Sequence, residues 1–380
     1  MDFFSLDVAH YFNLANKFFE GQAPYKDYFV NYLPGAFLFF LTPRLLTTQL
    51  IPYFVAFSSL VMIFFLFGLS FLIREWEKAG KEKIWLVILI LSSILILPLS
   101  LMRFDLFPTI LTLVALNIFL RKGFLLGEFY LALGAVTKIF PAIFLPFFLI
   151  EFWQKKEKVR ALKGLSVFFL TSFIVLLPYI AFGGGKGLLD SLEYNFDRTI
   201  QIESVPASFL FAGFLLGKPV ETFGAFASWN VGSNWDGGLT SAFLILWLTA
   251  FAWLFFWFYR RTKIIKDVRE KEFLLIKAVL IAILITVSFS RTFSPQYLIW
   301  SWPFTLWFFL YLTKTRMVVL GSLWCLILFI TMLNLARYTE LIALEPLAVS
   351  SGILRNILYL ALLVGVAATS ISEGNVKEAV

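Results

Sequence analysis

Long runs without a single Asp, Glu, Lys or Arg constrain this 380-residue chain more than any motif in it. Residues 45–73, 84–102, 164–185, 237–259, 292–313 and 317–336 are such runs. A segment crossing a bilayer needs about 20 apolar residues, and hydrocarbon offers its peptide groups no outside hydrogen-bond partner. Residues 106–120, 278–290 and 356–372 extend to full spans with one polar end residue. The stretch 123–153 is long enough for two short helices broken at Lys138 and Pro141. The expectation is an all-α, polytopic membrane protein of about eleven transmembrane helices, folded as one integral-membrane domain over residues 1–380.

Composition closes the other routes. At 60% hydrophobic and 15% charged the chain departs from soluble domains, which run about 45–50% apolar and about 25% charged. One cysteine, Cys325, excludes an intramolecular disulfide and reads as inert packing among apolar neighbours. A single histidine, His10, excludes a His-rich metal site and reads as a hydrogen-bonded loop residue. Neither nucleic-acid binding nor a cofactor is expected.

The net charge of +8 matters through its placement. Loops 74–83, 121–122, 155–163, 260–271 and 314–316 hold most of the Lys and Arg and alternate with a poorer set, which makes them cytoplasmic. The poorer set is 1–44, 103–105, the surroundings of Lys138, 183–238, 291–295 and 337–352, assigned to the exterior. The N-terminus is then exterior and the C-terminus cytoplasmic. Residues 1–32 contain four acidic residues and no apolar core of a signal peptide. Within loop 183–238, residues 205–216 are expected as a short interfacial helix and the rest as Gly-, Asn- and Trp-rich coil. Gly183-Gly-Gly-Lys-Gly187 lacks the spacing of a phosphate-binding loop.

The exterior set holds the unusual polar groups. A charge at membrane depth costs about 2.5–3.5 kcal/mol on insertion scales, so each is a candidate unless it snorkels or pairs. Arg103-Phe-Asp105 closes a helix and reads either as a structural ion pair or as part of a site. Lys138 stands beside a helix break at Pro141, a place tolerated at depth where it lines a cavity. Gln201-Ile-Glu203-Ser204 reads as solvated loop or as substrate contact. Arg291, Gln296 and Tyr297 mark a helix start with a tyrosine anchor or a further part of the site.

Taken in order, these groups resemble the integral-membrane GT-C glycosyltransferases, and among them glycosyltransferase family 87, the polyprenol-phosphate-mannose-dependent mannosyltransferases. Asp7-x3-Tyr11-x3-Ala15-x5-Gly21-x2-Pro24-Tyr25 is similar to that family's first exterior loop, although Tyr32-Leu33-Pro34 departs from its usual Tyr-Pro-Pro. Arg103-x-Asp105-x2-Pro108 and Lys138-x2-Pro141 are similar to its next signatures, and Phe293-Ser-Pro-Gln-Tyr297 with Trp300 and Pro303 to its late one. The resemblance implies a GT-C-like fold in the cell membrane with its site facing the exterior. It implies transfer of a hexose, mannose above all, from a polyprenyl-phosphate sugar to a lipid or glycan acceptor hydroxyl. It also implies a membrane helix ahead of the first exterior loop, expected upstream of residue 1.

Carried over residue by residue, the family's catalytic carboxylate falls on Asp7. The leaving phosphate needs cations, and Lys138, Arg103 and Arg291 are the exterior ones. Tyr11, Tyr25, Asp105, Glu203, Ser204, Gln296 and Tyr297 complete the expected substrate contacts. No Asp-x-Asp pair occurs near the exterior helix ends, so no metal is indicated. Among the competing carboxylates, Asp27 reads as surface, Glu203 as a loop contact to the acceptor, and Asp105 as weakened in basicity by Arg103. Asp7 stands among apolar residues, where desolvation raises proton affinity; its alternative is an N-cap for the helix that follows. A lipid-linked-oligosaccharide flippase or other transporter, and an oligosaccharide polymerase, are the competing functions. The one-sided clustering of polar groups argues against transport, whose charges sit deep in several spans.

Overall fold

The computed structural model describes residues 5–154 and 156–370. The first residues of loop 1–44, Lys155 of the expected loop 155–163 and the last two residues of the expected span 356–372 lie outside them. Within the described residues the regular structure is helical apart from one two-stranded hairpin. It forms two compact units, Met1–Ile73 with Leu97–Asp197, and Arg74–Ile96 with Arg198–Val380.

In chain order the helices of the first half are α1 (Ser5–Phe19), α2 (Phe37–Leu46), α3 (Leu50–Ala79), α4 (Ile84–Leu101), α5 (Leu106–Leu120), α6 (Phe124–Thr137), α7 (Leu145–Gln154), α8 (Lys158–Tyr179) and α9 (Gly185–Phe196). The second half holds α10 (Val205–Leu215), the hairpin β1 (Glu221–Ala225) and β2 (Ser228–Gly232), then α11 (Asp236–Ile264), α12 (Val268–Phe289), α13 (Tyr297–Phe309), α14 (Lys314–Ala336), α15 (Tyr338–Ile342) and α16 (Pro346–Ala368). Among the described residues seven helical stretches are long and apolar enough to cross a membrane: α3, α4, Lys158–Phe196, α11, α12, α14 and α16. This is a multi-pass membrane protein by length and composition. The other expected spans are helices too short to bridge a core of about 30 Å alone, such as α5 with 15 residues and α6 with 14.

Several boundaries depart from the sequence reading. Loop 1–44 contains α1 and α2, so His10 is helical rather than a loop residue and Asp7 lies inside the first turn of α1 rather than capping it. The expected span 292–313 is helical only from Tyr297, two residues past Pro295, and every residue of α13 is buried. In loop 183–238, α9 continues from α8, and α10 forms over the expected short helix with Val205, Ala207, Leu210 and Phe211 buried. The expected coil forms β1 and β2, paired from Glu221↔Gly232 to Ala225↔Ser228.

In the first unit, close backbone packing fixes the loops. A methyl group on Gly35 would lie 2.7 Å from the Val136 carbonyl carbon, which seats the turn after Tyr32 against the end of α6. One on Gly187 would lie 1.8 Å from the Tyr25 carbonyl oxygen. The Gly183–Gly187 run is therefore packing surface for the segment through Pro24–Tyr25. In the second unit, Lys277 lies within α12 and donates to the Ala367 and Thr369 carbonyls at 2.8 and 2.5 Å, capping the C-terminus of α16. Trp85 donates to the Leu306 carbonyl at 3.0 Å.

Glu128 is the discordant residue. It is fully buried on α6, and neither carboxyl oxygen has a hydrogen-bond partner among the described residues. A buried polar group left unsatisfied costs about 1–3 kcal/mol. Glu128→Leu, apolar and of similar volume, is expected to stabilise the protein by that order, read as a higher midpoint of thermal unfolding in detergent. An unchanged or lowered midpoint would mean that the carboxyl is satisfied.

Candidate functional site

The irregular chain between α4 and α5 organises the first unit's polar groups. Arg103, Phe104 and Asp105 occupy it, and no side-chain bond from Asp105 caps α5. It is 1% exposed, and its Oδ1 accepts from Lys138 Nζ at 2.5 Å. Arg103 is ion-paired with Asp7. Two residues apart, Arg103 and Asp105 thus join two different helices to the same turn, α1 through Asp7 and α6 through Lys138.

This overturns one expectation. Asp7 does not stand alone among apolar groups, since Arg103 accompanies it, so isolation does not account for any special proton affinity. At the first turn of α1 the carboxylate also faces the positive end of the helix dipole.

Lys138 stands where the sequence places it, at a break. It ends α6 in extended conformation (φ −154°, ψ 134°), and a 3-10 turn over Phe140–Phe144, with Pro141 near its start, follows. Pro141 lies 3.2 Å from where a methyl group on Gly134 would sit, so the Lys-x-x-Pro turn folds back on its own helix. The Lys138 ammonium also lies 5.0 Å from the centre of the Phe104 ring, within range of a cation–π attraction.

Aromatic rings wall this cluster. Tyr11 is buried, stacked on Phe40 at 4.4 Å and edge-on to Phe104 and Tyr32 at 5.7 and 5.6 Å. Tyr25 donates to the Tyr32 carbonyl at 2.7 Å, so it braces Tyr32. Burial pushes the Tyr11, Tyr25 and Tyr32 phenols well above their ordinary range, which keeps them neutral hydrogen-bonding groups. His10 sits one turn beyond Asp7, its Nε2 3.5 Å from Asn31 Oδ1. Asp7, Tyr11, Arg103, Asp105 and Lys138 are gathered here, with Tyr25 behind them. Tyr32 and Phe104 complete the wall; both lay inside the quoted motifs, but their roles were not anticipated.

The second unit holds the remaining candidates in a cluster of its own. Gln201 N–H donates to the Arg291 carbonyl at 2.9 Å, and Ile200 and Ile202 bond β2 at Val231 and Trp229. The loop is therefore an extra edge on the hairpin, and the reading of Gln201–Ser204 as solvated loop is wrong: Gln201, Glu203 and Ser204 are all buried. Ser204 caps α10 by accepting from Ala207 N–H at 3.2 Å. Asn356 donates to the carbonyls of Glu203 and Ser204 at 3.2 and 2.9 Å, and Arg355 also donates to the Glu203 carbonyl. The Arg355 guanidinium lies 4.1 Å from the centre of the Phe293 ring. Tyr297 stacks on Trp300 at 4.0 Å, and Gln296 accepts from Ser294.

Arg355 and Asn356 were missed by the sequence reading. A charge and an amide within an apolar helix were the available signal, obscured because the span was started at Asn356.

Among the described residues no group of three or more His, Cys, Asp or Glu is placed to hold a metal ion. Comparison with known protein families, curated proteins and solved structures finds no match for this chain.

Burial pushes the Glu203 carboxyl up to about 7, opposed by Arg355 and by hydrogen bonds from Gln201 and Tyr338. A raised carboxyl holds its proton more tightly folded than unfolded, so stability falls as pH rises from about 4.5 to about 7. The change is on the order of 3 kcal/mol. Denaturation midpoints across that window should decline for the native chain and stay flatter for Glu203→Gln. Parallel curves would dismiss Glu203 as the source.

Proposed function

We propose that this protein is a GT-C-like glycosyltransferase of the cell membrane. In this reading it moves a hexose, mannose above all, from a polyprenyl phosphate to a lipid or glycan acceptor hydroxyl on the exterior face. The observation that carries the proposal is the pairing of two carboxylates with two cations at helix ends, Asp7 with Arg103 and Asp105 with Lys138, against the Tyr11, Tyr32 and Phe104 rings. Glycosyl transfer needs a base for the acceptor proton and positive charge for the leaving phosphate. Aromatic faces suit the apolar side of a sugar ring. In this topology α5, α6, α7 and α13 complete about eleven crossings with the seven long stretches.

The acceptor hydroxyl gives its proton to the Asp7 carboxylate as its oxygen bonds the anomeric carbon. The anomeric carbon–oxygen bond to phosphate breaks, and the electron pair stays on the phosphate. Lys138 and Arg103 offset that charge. An arriving phosphate competes with Asp7 for Arg103, so donor binding and release of the base are linked. Asp105 acts as a positioning residue, holding Lys138 toward Phe104. Arg291, Glu203, Ser204, Gln296 and Tyr297 belong to the second unit and take no part in these steps.

Glu128, buried and unpartnered on α6, favours a second reading, a transporter of lipid-linked sugar, because buried charge within spans marks transport pathways. Purified protein in liposomes with labelled polyprenyl-phosphate mannose separates the two. Transfer yields a new glycosidic product, and transport moves the label across the bilayer unchanged.

Asp7→Asn is expected to lower transfer by about 10²–10⁴-fold, the usual contribution of a general base, at normal protein abundance. Near-native rates would move the role to another carboxylate. Lys138→Met should raise the donor concentration needed for half-maximal rate while the protein stays folded; unchanged donor dependence would reduce Lys138 to a structural partner of Asp105.

A further inference from the structure

Lys158–Phe196 is one apolar helical stretch of 39 residues, broken at Gly183 (φ +90°). At 1.5 Å per residue it would measure about 58 Å if straight, more than a whole bilayer of about 40–45 Å. The 20 uncharged residues from Gly164 to Gly183 span about 30 Å and cover the hydrocarbon core by themselves. Phe169, Leu170, Phe173 and Ile174, each more than half exposed, give α8 its lipid-facing surface. Whatever follows the kink has left the core.

α9 has three faces. Gly184, just before it, and Gly187 and Ser191 point inward, with Gly187 against the Tyr25 backbone. Lys186, Asp190 and Glu193 form an exposed charged arc that Asp197, just past the helix, extends. Leu189 and Phe196, seven residues apart and 62% and 68% exposed, form a separate apolar line with Leu192 between them. Phe182, 70% exposed, lies seven residues before Leu189 at the end of the α8 surface.

We propose that α9 lies in the bilayer interface, its Leu189–Phe196 line seated at the boundary between headgroups and acyl chains. The occupant is lipid because the line continues the lipid-facing surface of α8 across the kink. The charged arc beside it faces water, as in interfacial helices. With one cation against three carboxylates over residues 185–197, α9 holds by apolar burial and does not select anionic lipid. It also fixes the site loop: Asn195 donates to the Asn31 carbonyl at 3.2 Å, and Tyr194 packs edge-on to Phe29 at 5.3 Å. Tyr25, Asn31 and Tyr32 are thereby held at headgroup depth, where a lipid-borne substrate presents its polar end. The placement of α9 stands whatever the site transfers.

The test is spin-label accessibility in the full chain carrying Cys325→Ser, reconstituted in phosphatidylcholine liposomes. Single cysteines replace Leu189, Phe196, Asp190 and Glu193, with Phe182→Cys as a membrane reference in case one of the α9 sites disturbs folding. Labels at 189 and 196 should be relaxed by oxygen and shielded from a water-soluble nickel chelate, as at 182, with the reverse at 190 and 193. Adding phosphatidylglycerol should leave the pattern unchanged. Nickel access at 189 and 196 equal to that at 190 would place the line in water and overturn the proposal. Shielding from both agents would mean that protein covers it, which overturns it equally, and a requirement for phosphatidylglycerol would refute anchoring by apolar burial.

Discussion

A peptide group inside hydrocarbon has only its own helix to bond to, and that constraint decides where this protein keeps its chemistry. Irregular backbone and charge are confined to places where a helix stops or where protein surrounds the exception. Arg103 and Asp105 follow the end of α4, Lys138 follows the end of α6, and Asp7 stands in the first turn of α1. Phe104 sits between the two ion pairs and touches Tyr11, Tyr32, Phe40 and the Lys138 ammonium. The two pairs tie α1 and α6 to the turn that follows α4, so the four groups are positioned as a set.

The second unit applies the same constraint differently. Arg355 and Asn356 are buried on α16 and answer the carbonyls of Glu203 and Ser204. Lys277 answers the carbonyls at the end of the same helix. Each expensive side chain is matched to backbone oxygens that a membrane cannot solvate.

Much of this was legible in the sequence. Charge-free runs located the long helices, and the Lys138-x-x-Pro141 break fell where a helix ends. Partner choice was not legible: Asp105 is two residues from Arg103 in the chain, yet it accepts from Lys138, 33 residues away, while Arg103 reaches Asp7. Nearness in sequence says little in an irregular turn, where successive side chains diverge. The hairpin was hidden for a different reason. Its turn places Phe226 and Ala227 at positive φ, 54° and 52°, where Asn-Gly or Asp-Gly is the usual signal. Burial of Glu203 was equally invisible, because Tyr338, Arg355 and Asn356, which bond it, lie on α15 and α16, far along the chain.

That last point bears on how the chain is made. The loop at Glu203 is synthesised about 150 residues before Arg355 and Asn356, the side chains that hold its carbonyls. Throughout translation of α11 to α15 those carbonyls lack their final donors. Those two carbonyls gain their donors only when α16 leaves the ribosome and enters the bilayer. Assembly of the second unit is therefore completed from its C-terminal end, and a nascent chain stalled before α16 holds an unfinished centre however many helices it has inserted.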